Sequence, residues 1–191
     1  ALTAAAAIGA TPAHLAADNG HVDVLRFLAE RCGSEALTAA ASNGDTPAHR
    51  AALNGHVDVL CFLAEHCGSE ALTAAAANGG TPAHLAARRH ASALGRCGNG
   101  HVDALRFLFD QCGREVLTAA RADGGTPAHL AALNGHVDAL RFLFERCGGE
   151  ALTAADANGG TPAHYAARRG HVDALRFLFE QCGSEALTAA A

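Results

Sequence analysis

Residues Thr126 to Gly160 read TPAHLAALNGHVDALRFLFERCGGEALTAADANGG, and nearly every other part of the chain is a variant of this stretch. The tetrad TPAH or its equivalent also begins at Thr11, Thr46, Thr81 and Thr161, a period of 35 residues broken by one step of 45 residues between Thr81 and Thr126. A fixed period of this size marks a solenoid of stacked units, although the 191-residue length alone would allow one or two globular domains.

The unit can be taken apart residue by residue. Thr126 is placed to cap a helix whose first position is Pro127, where a missing N–H costs nothing. AHLAALN makes roughly two turns before Gly135 stops it. A second helix is expected from His136 to about Cys147. Val137, Leu140, Leu143, Phe144 and Cys147 recur at three- and four-residue spacing, with Ala139 and Phe142 widening that apolar face. Asp138, Arg141 and Glu145 form the wet stripe, at spacings that allow helix-surface ion pairs. Gly148 and Gly149 end the helix, and EALTAADANGG is expected to cross back as an extended segment with a turn at Asn158-Gly159.

Composition sets further bounds. Half the residues are apolar, mostly Ala, with no Trp or Met, and the eight Phe sit in or beside the LRFL segment, so cohesion must come from close packing of small side chains. The net charge is -5, with 19 acids against 14 Arg and the signs interspersed. That pattern lacks the basic stripe of a nucleic-acid binder or an anionic-membrane binder. No apolar run approaches the length of a membrane span, and no signal peptide opens the chain, so neither nucleic acid nor membrane insertion is expected.

Cys32, Cys67, Cys112, Cys147 and Cys182 occupy one position of successive units. Stacked helices lie about 8–10 Å apart, too far for disulfides along this column. These cysteines are expected to be small buried side chains, and Cys61 and Cys97 free thiols, of a reducing, intracellular, cytoplasmic protein.

The run TPAHLAA, NGHVDAL, RFLF, a Gly, LTA and NGG before the next TP resembles the ankyrin repeat. The resemblance spans the chain: a partial unit at 1–10, then units at 11–45, 46–80, 81–125 with ten extra residues within 88–99, 126–160, and 161–191. It implies an all-α solenoid of stacked helix-turn-helix-hairpin units forming a single array. Two departures stand out. The family's TPLH is TPAH here, with Ala13, Ala48, Ala83, Ala128 and Ala163 in place of Leu, and the unit exceeds the usual length of about 33 residues. The chain also begins and ends inside a unit, without the polar outer faces of terminal repeats. It therefore reads as a piece of a longer array, or as one whose ends are covered by a neighbouring chain.

Units differ in a correlated way. Val24 with Ala29 and Val59 with Ala64 give way to Ala104 with Phe109, Ala139 with Phe144 and Ala174 with Phe179, small exchanged for large as a close-packed core requires. The insertion RRHASALGRCGN lies where one helix turns into the next. It is either a tolerated surface insertion or a recognition loop carrying Arg88, Arg89, His90 and Arg96.

The resemblance further implies that partners are held by the concave face, meaning the exposed side of the first helices, and by the hairpin tips. The matching positions are Asp18 with Asn19, Leu53 with Asn54, Arg88 with Arg89, Leu133 with Asn134, and Arg168 with Arg169. At the tips they are Ser42, Asp45, Arg121 and Asp156. Arg50 and Tyr165 interrupt a column that is otherwise Leu and join this set.

The residue types that could carry chemistry follow the repeat. Ten of the twelve His are periodic. His14, His49, His84, His129 and His164 follow Thr-Pro, where the resemblance implies hydrogen bonds tying turns and neighbouring units. His21, His56, His101, His136 and His171 open the second helix. Rows about 10 Å apart cannot share an ion whose nitrogen ligands lie near 2 Å. Cys61, His66 and Cys67 do not share a helix face. An identical HVD triplet in each unit supplies neither nucleophile nor pocket. No cofactor, metal or catalytic residue is expected. The reading is a non-enzymatic scaffold for a protein partner. The alternatives are a structural subunit packed through uncapped ends, or the targeting module of a larger enzyme.

Overall fold

A computed structural model describes residues 9–88 and 100–187. In chain order the helices are α1 (Pro12–Asp18), α2 (Val22–Cys32), α3 (Glu35–Thr38), α4 (Pro47–Asn54), α5 (Val57–Cys67), α6 (Glu70–Thr73), α7 (Pro82–Arg88), α8 (Gly100–Cys112), α9 (Glu115–Thr118), α10 (Pro127–Leu133), α11 (Val137–Cys147), α12 (Glu150–Thr153), α13 (Pro162–Arg169) and α14 (Val172–Cys182), followed by a 3-10 turn at Gly183–Leu187. No strand occurs among the described residues.

The first helices α1, α4, α7, α10 and α13 pack one on the next. Their buried faces are nearly all Ala, with Ala17, Ala51, Ala52, Ala87, Ala131 and Ala132 fully buried. A face of methyl groups lets two backbones approach closely, which explains why Ala can replace Leu after Thr-Pro. The second helices form the adjoining layer, and their leucines, among them Leu25, Leu60, Leu105, Leu140 and Leu178, are fully buried. On α11 the expected stripe is buried at Ala139, Leu140, Phe142, Leu143 and Cys147, with Val137 and Phe144 half-buried and Asp138, Arg141 and Glu145 in solvent.

Two expectations are corrected. The segment after the second helix is not extended: Glu35–Thr38, Glu70–Thr73, Glu115–Thr118 and Glu150–Thr153 are single helical turns. A positive-φ glycine, such as Gly148 at φ 78°, reverses the chain. Glu, Ala and Leu then favour the helix, and Leu37, Leu72, Leu117 and Leu152 anchor it in the core. The cysteine column, expected to be buried, is buried only at Cys147; Cys32, Cys67, Cys112 and Cys182 are half-buried free thiols at the end of each second helix. Burial holds the thiol pKa of Cys67, Cys112, Cys147 and Cys182 above its ordinary value. Cys97 lies outside the described residues.

The loops that follow close tightly, with Ala41 N–H donating to the Asp45 carbonyl at 2.8 Å and Ala76 N–H to that of Gly80 at 2.7 Å. Neighbouring loops are joined in the same way throughout: Ala77 to Asn43 at 3.1 Å, Ala122 to Asn78 at 3.1 Å and Ala157 to Asp123 at 3.0 Å. Gly44, at φ 82°, is required twice over, because a Cβ there would stand 2.5 Å from the Ala77 nitrogen.

The insertion leaves the stack in register. Cys112 Sγ lies 3.8 Å from the Ser69 carbonyl across it, as Cys67 and Cys182 lie 3.9 Å from the carbonyls of Ser34 and Gly149 elsewhere.

Candidate functional site

The Thr-Pro-Ala-His tetrads build the frame on which any site stands. The His84 Nδ1 accepts from the Thr81 backbone N–H at 3.2 Å and faces its hydroxyl at 2.9 Å, while Nε2 lies 3.0 Å from the Gly125 carbonyl. His14, His49 and His129 repeat this geometry, with Nε2 at 2.9 Å from the carbonyls of Asp45, Gly80 and Gly160. A backbone N–H can only donate and a carbonyl can only accept. Each ring is therefore a neutral Nε2–H tautomer with both nitrogens used. Burial lowers the pKa of His14, His49 and His129, and that of His84 to about 4.

The second histidine column also serves the frame: His56 Nε2 meets the Asp18 carbonyl at 3.2 Å and His171 Nε2 that of Leu133 at 3.1 Å. In α5, Cys61 Sγ faces Glu65 at 3.5 Å and His66 Nδ1 the Phe62 carbonyl at 3.0 Å, so these side chains turn to their own helix. No group of three His, Cys, Asp or Glu able to hold a metal ion occurs among the described residues.

The candidate partner-binding residues separate into distinct settings. In the first two units, Asp18 accepts from the Asn54 amide at 3.0 Å, and Asn19 is exposed with its amide on the Leu15 carbonyl at 2.8 Å. Ser42 is exposed against Gly9, and Leu53 is half-buried. Asp45 and Arg50 form an ion pair at 3.2 Å.

In the middle of the array, Arg88 is exposed at the end of α7. Arg121 is joined to Asp123 at 2.7 Å, while its Nε is buried without a partner among the described residues. Both arginines line one groove with Asp45, His84, Leu85 and Leu130. Arg89, His90 and Arg96 lie outside the described residues.

At the far end, Asp156 is not a free tip residue. It is buried, its Oδ1 accepting from the backbone N–H of Asn158 and Gly160 at 2.8 Å each and its Oδ2 from the Tyr165 hydroxyl at 2.5 Å. The Tyr165 bond is the main reason its carboxyl pKa is held below the usual range, and the same bond raises that of the phenol. The Tyr165 ring stands edge-on to His129 at 5.2 Å and carries Arg168 over its face at 5.0 Å. Arg168 and Arg169 are exposed.

Sequence reasoning missed Asp123, Leu85 and Leu130. The signal for Asp123 was present, since the turn reads ADGG where other units have Asn. The two leucines sit at positions that the repeat itself uses.

No helix among the described residues is long and apolar enough to cross a membrane. A comparison with curated proteins finds no match. The family model described as ankyrin repeats (3 copies) matches residues 2–74 and 91–189. Ankyrin repeats are in general protein-interaction modules. With its Thr-Pro-initiated helix pairs stacked in register and that model covering most of its length, the chain belongs to the ankyrin repeat family.

Proposed function

We propose that this chain is a non-enzymatic scaffold that holds a partner protein along the face made by its first helices and loop tips. The supporting observation is a division of labour among polar groups. The imidazoles of His14, His49, His84 and His129 are spent on the frame, whereas Arg88, Arg168 and Arg169 stand exposed with no ion pair among the described residues. A frame that does not reorder on binding loses little conformational entropy, and repetition adds contact area. Asp18, Asn19, Ser42 and Leu53 extend the same face toward the first unit.

The test is exchange of Arg168 and Arg169 for Glu, with binding measured against a partner isolated from the native source. Affinity should fall at least tenfold while stability falls by no more than the lost Arg168–Tyr165 contact, about 0.5–1 kcal/mol; equal binding by the variant overturns the reading.

A second reading, an assembly subunit packed through its ends, has its own support. Val24 and Phe27 are exposed at one end of the array, and Val172 and Phe179 at the other. Sedimentation that stays monomeric across a wide concentration range counts against this reading.

A further inference from the structure

The groove in the middle of the first-helix face carries a local charge that the chain as a whole does not. Of its lining residues only Asp45 is a carboxylate, and Asp45 is already engaged by Arg50 at 3.2 Å and by the Asn43 amide at 2.9 Å. The later loop positions that correspond to Asp45 are glycines, Gly80 and Gly125. Arg88 has no ion pair among the described residues. Asp123 occupies one terminal nitrogen of Arg121 and leaves Nε buried without an acceptor among the described residues. The same groove is lined by half-buried Leu85 and buried Leu130.

The groove is thus cationic and unsaturated in a protein of net charge -5. A long polyanion would be repelled by the chain at large, whereas a short acidic segment would meet mainly the local cations. Arginine takes carboxylate in forked, charge-assisted bonds, and a buried donor without an acceptor gains by finding one.

We propose that this groove receives an extended acidic peptide segment, one carboxylate lying against Arg88 and Arg121 and a neighbouring aliphatic side chain on Leu85 and Leu130. This rests on the first-helix-face reading above and supplies the partner's chemistry.

Random dodecapeptides displayed on phage, selected on the full chain, test it. The expected consensus is one or two Asp or Glu beside an aliphatic residue. Binding of the synthetic consensus should weaken at least tenfold in Arg88→Glu and fall steeply between 0.1 and 0.5 M salt, about what screening of a partly exposed charge pair permits. Circular dichroism checks that the variant folds as the parent does. A neutral or basic consensus that still loses affinity in Leu130→Glu, or in the combined Arg168→Glu and Arg169→Glu variant, overturns the acidic segment and leaves the face. Peptides bound equally by all of these variants place the site elsewhere and overturn both. No enrichment also overturns both.

Discussion

At His84 the two ring nitrogens meet a backbone donor and a backbone acceptor, so the ring has no place for a second proton. Its folded pKa of about 4 lies below the ordinary imidazole value of 6.5. The unfolded chain therefore takes up the proton first. Stability is fully present above about pH 6.5 and declines as pH falls toward 4, with His84 alone contributing a loss of about 2 kcal/mol by pH 5. His14, His49 and His129 shift in the same direction and deepen the decline. Urea unfolding at pH 7.5 and pH 5 measures it, and equal midpoints would contradict the neutral-ring geometry. At the other end, Tyr165→Phe removes a hydroxyl bound to an ionised, buried Asp156 and should cost about 1–3 kcal/mol at neutral pH. An unchanged thermal midpoint would show that this bond contributes nothing. The tetrad histidines could be read from sequence because their spacing matches the repeat. The Asp156–Tyr165 bond could not, since it depends on a loop folding back over the helix that follows it.

Among elements, the second helices carry the large buried side chains, and Leu140 is fully enclosed. Leu140→Ala should cost about 2–5 kcal/mol in denaturant unfolding; a negligible change would mean that the stripe of α11 is not where the core lies. Between these helices runs a ladder that links units: Arg26 over Phe62 at 5.7 Å, Arg106 over Phe142 at 5.5 Å and Arg141 over Phe177 at 5.2 Å. Phe109 and Phe144 add edge-on contacts to Phe142 and Phe177, at 6.3 and 6.4 Å. Cys61 stands where the next arginine of this ladder would be. Cys61→Arg, placed to cover the half-buried Phe107, should stabilise the protein by about 0.5–1 kcal/mol, read from the urea midpoint. A loss of stability would show that the ladder has a different offset at that junction. Within one helix the stripe of Val137, Leu140 and Leu143 was legible from its period. The wet stripe suggested ion pairs within the helix, yet Arg141 reaches the next unit's ring. That offset between helices is fixed by Ala-to-Ala packing in the neighbouring layer, which no single unit's sequence expresses. The turn Glu150–Thr153 was missed for a related reason: its helical state depends on Leu152 being pulled into the core.

For the molecule as a whole, the ten-residue insertion is the largest departure in the sequence and leaves the smallest trace in the stack. His84 reaches Gly125 across it at 3.0 Å, and Ala122 still donates to Asn78 at 3.1 Å. Removing residues 89–98 would place Asn99 and Gly100 directly after Arg88, restoring the Asn-Gly-His junction found at Asn19, Asn54 and Asn134. Because loop length enters closure entropy only logarithmically, the deletion should change unfolding free energy by less than about 1 kcal/mol. A large loss would show that the inserted residues are part of the packing. If peptide binding falls while stability holds, the insertion belongs to recognition.

The forward reach of the tetrad histidines has one more implication. The acceptor each ring finds is the main-chain oxygen of whatever residue precedes the next threonine, aspartate at position 45 and glycine at 80, 125 and 160. The coupling between units is therefore indifferent to the side chain at that position. A unit could be duplicated, lost or exchanged without new joining chemistry at this contact, and the side chain before each threonine is free to differ, as aspartate at 45 and glycine at 80 already do.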